Sequence, residues 1–117
     1  MASAESEQGT STVTLSVASI LADDIIGLSG FYADVFGLEE IVEFRTDVFR
    51  GLRLGSVVLG FSPLETYAAL GIEKWANATG TKQYLTFEAD NTAQVERLTK
   101  RATERDARIL YGPYETA

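Results

Sequence analysis

The sequence predicts one α+β domain built from repeated strand–helix–strand units, and three observations support this class. Leu28, Phe31, Val35 and Leu38 recur at steps of three and four residues, as on one face of an amphipathic helix, and Gly37 stands where a helix ends with positive φ. Runs of alternating or β-branched residues on either side of this segment are typical of strands. A strand followed by a polar cap and a helix occurs twice. A chain of 117 residues buries roughly 60–70% of its unfolded surface, which suffices for one core.

The first elements follow in order along the chain. Residues 1–12 are small and polar without hydrophobic period, and we expect a disordered arm. Residues 13–22 alternate and predict the first strand. Either Asp23 or Asp24 can cap the helix that the apolar stripe predicts over residues 25–36.

Three further strands complete the first unit. The pattern predicts them over residues 39–46, 49–54 and 57–61. Gly55-Ser56 forms the hairpin connection between the last two, and Pro63 ends the unit. The first half is therefore a strand, a helix and three strands.

The second half starts in the same way. Residues 65–70 favour one or two helical turns and residues 76–81 a loop. Residues 84–89 predict a strand, Asp90-Asn91 a cap and residues 92–104 a second amphipathic helix. A last short strand is predicted over residues 108–111, before Gly112-Pro113. The pattern of residues 84–91 repeats that of residues 17–24, so the second unit is an internal repeat of the first.

Composition excludes several classes of function. The 17 acidic and 10 basic residues give a net charge of −7, which opposes binding to nucleic acid. Cysteine and histidine are absent, so a histidine-based catalytic triad and a cysteine or imidazole metal cage are excluded. No apolar run approaches the roughly 18 residues that a membrane span needs. We expect a cytoplasmic protein with neither nucleic-acid nor membrane partners.

The repeated unit carries a family resemblance. The segment Phe-Tyr-x-x-Val-Phe-Gly-Leu at residues 31–38, the capped strand before it and Gly-Pro-Tyr-Glu-Thr at residues 112–116 resemble the vicinal oxygen chelate superfamily, which includes glyoxalase I, bleomycin-resistance proteins and extradiol dioxygenases. The resemblance covers about residues 13–117. It implies paired βαβββ modules whose sheets curl around a cavity.

The resemblance also implies a division of the chain. Module one covers about residues 13–62, a linker residues 63–82, and a partial module two residues 83–117, which is truncated before its closing hairpin. Within the strands, Val57, Leu59 and Phe61 should face the helix, and the alternate residues should face the cavity.

Enzymes of the superfamily usually hold a divalent metal, and the resemblance indicates where its ligands would lie. Aligning the caps places Val17, Gly60 and Tyr84 at three ligand positions. Val and Gly have no donor atom in their side chains, and one phenol oxygen does not make a cage. The sequence therefore predicts a metal-independent protein without a cofactor.

The favoured function is binding of a small organic compound, cationic or aromatic, in the cavity. Aromatic walls with a few polar groups suit such sites, and the acidic surface would attract cations. The candidate ligand-binding residues, each of which has a structural role in a core or a dimer contact as its alternative, are Ser19, Phe44, Phe49, Gly60, Tyr67, Trp75, Tyr84 and Glu88. No catalytic residue is assigned.

Two other functions stay open. A lyase or dioxygenase would require carboxylates that bind Mg²⁺ or Mn²⁺, and the candidates are Glu39, Glu40, Glu43, Glu65 and Glu88. If Glu88 faces the cavity it needs a partner, for which Arg53 is the candidate. Alternatively, the sheet serves dimerisation, because exposed strand edges recruit other strands. A homodimer is expected in either case.

Overall fold

The computed structural model describes residues 12–79, 84–110 and 112. Residues 1–11 of the predicted N-terminal arm, residues 80 and 81 of the predicted loop, and Tyr111 lie outside the described residues. So do residues 113–116 of the segment that contributes to the family resemblance.

Three strands form one mixed sheet. Strand β1 is Val17–Ala22, β2 is Arg50–Leu54 and β3 is Val57–Pro63, in the spatial order β1-β3-β2. β1 runs parallel to β3, and β2 runs antiparallel to β3. The tight connection between β2 and β3 uses Gly55 with φ 61°, a value that favours glycine.

The first helix, α1, spans Ile25–Phe36 as the sequence predicted. Asp24 rather than Asp23 caps it, because its Oδ1 accepts a hydrogen bond of 2.9 Å from the Gly27 amide. Gly37 ends it with φ 66°, and the Leu38 amide donates to the Ala33 carbonyl. Local sequence signals therefore define both ends of α1.

The core lies between α1 and one face of the sheet. Leu52, Leu59 and Phe61 are at most 2% exposed, and Ile25 of α1 joins them. This confirms the predicted alternation in β3, where Leu59 and Phe61 face the helix. Half-buried side chains pack around this cluster: Ile20, Leu28, Tyr32, Ala33, Leu38, Leu54 and Phe87.

The second half contributes two helices. Helix α2 is a single turn, Thr66–Ala69, and a 3₁₀ turn follows at Glu73–Trp75. Helix α3 spans Thr92–Glu104, as predicted, and the Asn91 side chain caps it by accepting from the Gln94 amide at 2.9 Å. Its carboxyl-terminal end is tied to α1, since Arg101 and Arg105, the residue after the helix, both donate to Asp34.

The strand predicted over residues 39–46 is wrong. Single bridges join Glu40 to Leu52 and Thr46 to Phe49, with a 3₁₀ turn at Val42–Phe44 between them. Pairing with β2 is thus limited to its start, where Ile41 donates to the Gly51 carbonyl at 2.9 Å. Ile41 is buried but Val42 is 62% exposed. Burial therefore stabilises pairing with β2 at Ile41 but not at the residues that follow it.

The two strands predicted in the second half, over residues 84–89 and 108–111, are also wrong as far as these residues are described. Residues 84–89 and 108–110 have no strand structure. A strand requires a neighbour for its backbone groups, and residues 84–89 are held through side chains instead. Leu85, Phe87 and Ala89 line a cleft with Leu98 of α3. At the other end, β1 begins at Val17, not at Val13.

Within the described residues, no helix combines the length and apolar character that crossing a membrane requires.

Candidate functional site

The sheet face opposite α1 carries a row of small residues that crosses all three strands. Ser19 of β1 lies beside Gly60 of β3, and Gly60 lies beside Gly51 of β2. A side chain added to Gly60 would start 2.9 Å from the Ser19 Oγ. The row therefore has peptide backbone at positions where other rows of a sheet carry larger side chains, and another group can approach it closely.

Two aromatic side chains lie over this row. A Cβ on Gly60 would lie 2.8 Å from Cε1 and 2.9 Å from Cζ of Phe49. A Cβ on Gly51 would lie 3.1 Å from Cε2 of the same ring and 3.5 Å from Cδ2 of Phe44. Both glycines are buried, whereas Phe44 is 46% exposed. The result is a surface of two aromatic rings over buried glycine backbone, with one hydroxyl beside it, which we call the open face.

The segment that replaces the second predicted strand positions both rings. The 3₁₀ turn at Val42–Phe44 brings Phe44 to the sheet, and the bridge between Thr46 and Phe49 closes a tight turn before β2. Within that turn the Val48 amide donates to the Thr46 Oγ1 at 3.1 Å. The segment of residues 39–46, for which a strand was wrongly predicted, is therefore the one that places Phe44 on the open face and leads into the turn that places Phe49.

A group of charges borders the same segment. Arg45 binds Glu40 through two hydrogen bonds of 2.8 and 2.6 Å, and Nε of Arg50 lies 3.9 Å from the same carboxylate. The hydrogen bonds from Arg45 lower the pKa of Glu40. Arg50 also donates to the carbonyls of Thr46 and Phe49. Glu40 is thus a charged anchor for the turns that carry Phe44 and Phe49.

The structure brings together Ser19, Phe44, Phe49 and Gly60 of the sequence-predicted site. The other candidates belong to different elements. Tyr67 lies on α2, and Trp75, 55% exposed, lies on the 3₁₀ turn with Lys74 Nζ 5.2 Å from its ring centroid. Tyr84 is 85% exposed and Glu88 is also exposed, both on the segment that precedes α3.

The pairing predicted between Arg53 and Glu88 is wrong. Nε of Arg53 lies 3.9 Å from Glu39, and the Arg53 amide donates to the Glu39 carbonyl at 2.8 Å. Register explains the difference, because Glu39 directly precedes the bridge between Glu40 and Leu52, which places it beside Arg53.

Sequence reasoning did not include Gly51 in the site. The sequence nevertheless contains an indication, because a glycine inside a predicted strand is typical of a close approach by another group. What the sequence did not show is that Gly51 pairs with Gly60 and that one ring covers both.

The residues at the implied metal positions do not fit a divalent ion. Val17 has no donor atom, Gly60 has no side chain and lies under the Phe49 ring, and the Tyr84 side chain is largely in solvent. Among the residues described, no group of three or more Asp and Glu side chains is arranged to hold a metal. The open face therefore offers an aromatic surface rather than a coordination site.

Fold and site together define a small α+β protein with a strand–helix–strand module and an aromatic-walled sheet face. The sequence matches no protein-family model and no curated protein. Among solved structures, this chain is similar to a glyoxalase/bleomycin resistance protein/dioxygenase family enzyme from Burkholderia phytofirmans PsJN, with 35% identity and a TM-score of 0.84, over 89% of this chain and 82% of that chain.

A second similar structure is lactoylglutathione lyase from Agrobacterium tumefaciens. Its TM-score is 0.58 at 20% identity, covering 84% of this chain and 74% of that chain, and this likeness supports the fold alone. The identity to the Burkholderia protein extends over most of both chains. The chain belongs to the glyoxalase/bleomycin resistance protein/dioxygenase family, within the vicinal oxygen chelate superfamily, as the resemblance of residues 31–38 predicted.

Proposed function

We propose that the protein binds a small organic compound on the open face without a metal. The observation that carries this proposal is the convergence of Ser19, Phe44, Phe49 and Gly60 from separate elements onto one surface. Aromatic walls supply contact area at small entropic cost, and the Ser19 hydroxyl supplies a polar group for orientation. The net charge of −7 favours a cationic compound over an anionic one.

The test is a screen of small cationic and neutral aromatic compounds against ¹⁵N-labelled protein. Amide shifts of Ser19, Phe44, Gly51 and Gly60 should change together and saturate. Phe44→Ala should weaken binding, since it removes one wall, whereas Trp75→Ala removes an exposed ring on another element and serves as the control. Binding that shifts Trp75 and its neighbours, while the open face stays unchanged, would contradict the proposed location.

A divalent-metal-dependent lyase or dioxygenase is the alternative within the family, and the Burkholderia relative is described as an enzyme. The Glu40 carboxylate forms an ion pair with Arg45, which disfavours it as a metal ligand. Glu39 lies beside Arg53. Metal analysis of purified protein separates the two functions, because a near-stoichiometric Mg²⁺ or Mn²⁺ content that survives dialysis would favour the enzyme.

We also propose that the protein forms a homodimer. Strand β1 pairs only with β3 in the described part of the chain, so one of its edges is available to another strand. Leu15, which lies before that strand, is 64% exposed, and Val17, its first residue, is 43% exposed. Sedimentation equilibrium tests the assembly, and a monomer at micromolar concentration would remove dimerisation from the proposal.

A further inference from the structure

Half of the basic side chains of this acidic protein belong to helix α3 and the residues just after it. Residues 97–108 contain five of the ten Lys and Arg residues but two of the 17 Asp and Glu residues. This segment therefore carries a net charge of +3, while the rest of the chain carries −10. The charge distribution thus favours an anionic partner at α3 and opposes one over most of the remaining surface.

The carboxylates that face α3 are already bound by two of its arginines. Nη2 of Arg101 and Nη1 of Arg105 both lie 2.5 Å from Oδ2 of Asp34, and Nη1 of Arg101 lies 3.3 Å from Glu104. One carboxylate oxygen is therefore shared by two guanidinium groups. These contacts leave positive charge in excess on this side of the helix.

Arg97 and Lys100 are basic side chains without a partner in the fold. Both are exposed, and within the part of the chain that the structure describes neither side chain has a hydrogen bond or an ion pair. Together with Arg101 they occupy positions i, i+3 and i+4 of the helix, where like charges destabilise it. Arg97, Lys100, Arg101 and Arg105 form what we call the basic row. A bound carboxylate would relieve the repulsion within it.

A cleft with an apolar floor lies beside the basic row, between α3 and α1. Its volume is about 380 Å³, and Val35 and Leu98 are its apolar lining residues. Val35 is 4% exposed and Leu98 is half-buried, whereas the other lining residues are charged: Asp34, Arg97, Lys100, Arg101 and Glu104. A complementary ligand therefore has an apolar group for the floor and anionic groups for the rim.

We propose that this cleft binds an acidic peptide segment of a partner protein, in which carboxylates flank an apolar side chain. The basic row is about 12 Å long from Arg97 to Arg105 at the rise of an α-helix, which an extended peptide covers in roughly four residues. A single small anion would meet only part of the row. A long polyanion would extend beyond the row onto the acidic remainder of the surface, which repels it.

The test titrates two peptides with blocked ends, Glu-Glu-Leu-Glu-Glu and its neutral analogue Gln-Gln-Leu-Gln-Gln, into the ¹⁵N-labelled full chain. The acidic peptide should shift the amides of Val35, Leu98 and Arg101 to saturation and leave those of Ser19 and Gly60 on the open face unchanged. Its binding should weaken as the NaCl concentration is raised, because exposed charges are screened. The neutral peptide should not saturate these amides.

A double variant tests the basic row itself. Arg97→Gln combined with Lys100→Gln should weaken binding of the acidic peptide about fivefold to twentyfold, since an exposed ion pair is worth up to about fivefold in affinity. It should fold like wild type, because neither side chain has a partner in the fold. Arg53→Gln combined with Lys74→Gln is the matched control: it changes the net charge equally, away from α3, and should bind like wild type.

Four results would overturn the proposal. Absence of binding by the acidic peptide removes its basis, and equal weakening in both double variants means that binding follows net charge alone. Saturation of the same amides by inorganic phosphate at similar concentrations means a site for a single anion. Salt-sensitive self-association of wild type that is lost in Arg97→Gln with Lys100→Gln makes a second copy the occupant. Because the open face has its own amides, each of these results leaves the proposed function to its separate test.

Discussion

Phe36 and Phe87 stack face to face, with ring centroids 4.1 Å apart and planes inclined by 9°. Phe36 is the last residue of α1, and Phe87 lies on the segment that precedes α3. Tyr32 contacts both rings and also Phe61 of the core, at centroid distances between 5.6 and 6.1 Å. Side-chain stacking therefore attaches the repeat segment to the first unit in place of strand pairing.

Phe87→Ala should destabilise the protein by roughly 2–3 kcal/mol. A fully buried Phe→Ala change costs about 3–5 kcal/mol, and Phe87 is only half-buried, although its ring pair adds about 0.5–1.5 kcal/mol. Urea unfolding followed by circular dichroism measures the loss. Tyr84→Ala is the matched control, since that ring is 85% exposed and its removal should stay within about 0.5 kcal/mol. Equal losses for both variants would contradict the role of the stack.

Residues 84–89 illustrate which features of the fold the sequence alone does not predict. The bounds of α1 and α3 were predicted because Asp24, Gly37 and Asn91 act within a few residues of each helix end. Residues 84–89 have a pattern typical of a strand, but a strand exists only with a partner, and no local pattern specifies one. Phe49 and Gly60 were both candidates for the site, yet their contact depends on a turn, a register and a strand order that are properties of the fold.

Gly60→Ala should displace the Phe49 ring, because the new Cβ would lie 2.8 Å from it. We expect a loss of about 1–3 kcal/mol, as for other cases of overpacking. The loss should shrink when the change is made in Phe49→Ala, where the ring is gone, and the double-mutant cycle measures that coupling.

Gly30→Ala is the control for this glycine. It lies inside α1, and a Cβ there would meet nothing within 4 Å. Alanine is the better helix former, so this change should stabilise the protein by about 0.5–1 kcal/mol. If both glycine variants lose the same stability, or if the cycle shows no coupling, the close contact between Gly60 and Phe49 is wrong.

Asp24→Ala should cost about 1 kcal/mol in the free energy of unfolding, because it removes the side-chain acceptor for the Gly27 amide. Asp23→Ala removes the same charge one residue earlier without removing the cap, and it should be close to neutral. Chemical denaturation of both variants decides between the two aspartates, which the sequence left as equal candidates. A larger effect at Asp23 would place the start of α1 one residue earlier.

Stability should depend on pH through Asp34, which accepts hydrogen bonds from Arg101 of α3 and from Arg105, the residue after α3, at 2.5 Å each. The bond from Arg101, then the one from Arg105, lowers the pKa of this carboxyl in the folded protein. A lowered folded pKa means that the contribution is complete above the ordinary carboxyl pKa of about 4 and is lost as the pH falls through the folded value. Wild type should therefore exceed Asp34→Asn in urea midpoint at pH 6, and the difference should disappear on acidification.

The salt dependence of stability distinguishes the contribution of this ion pair from general acid unfolding. The three side chains are partly exposed, so 1 M NaCl should reduce the difference at pH 6 by screening. Glu40, whose pKa is also lowered, is present in both proteins and cancels in the comparison. If the difference between wild type and Asp34→Asn stays constant from pH 6 to pH 2, Asp34 does not titrate as a partner of the two arginines, and another contact must hold α3 against α1.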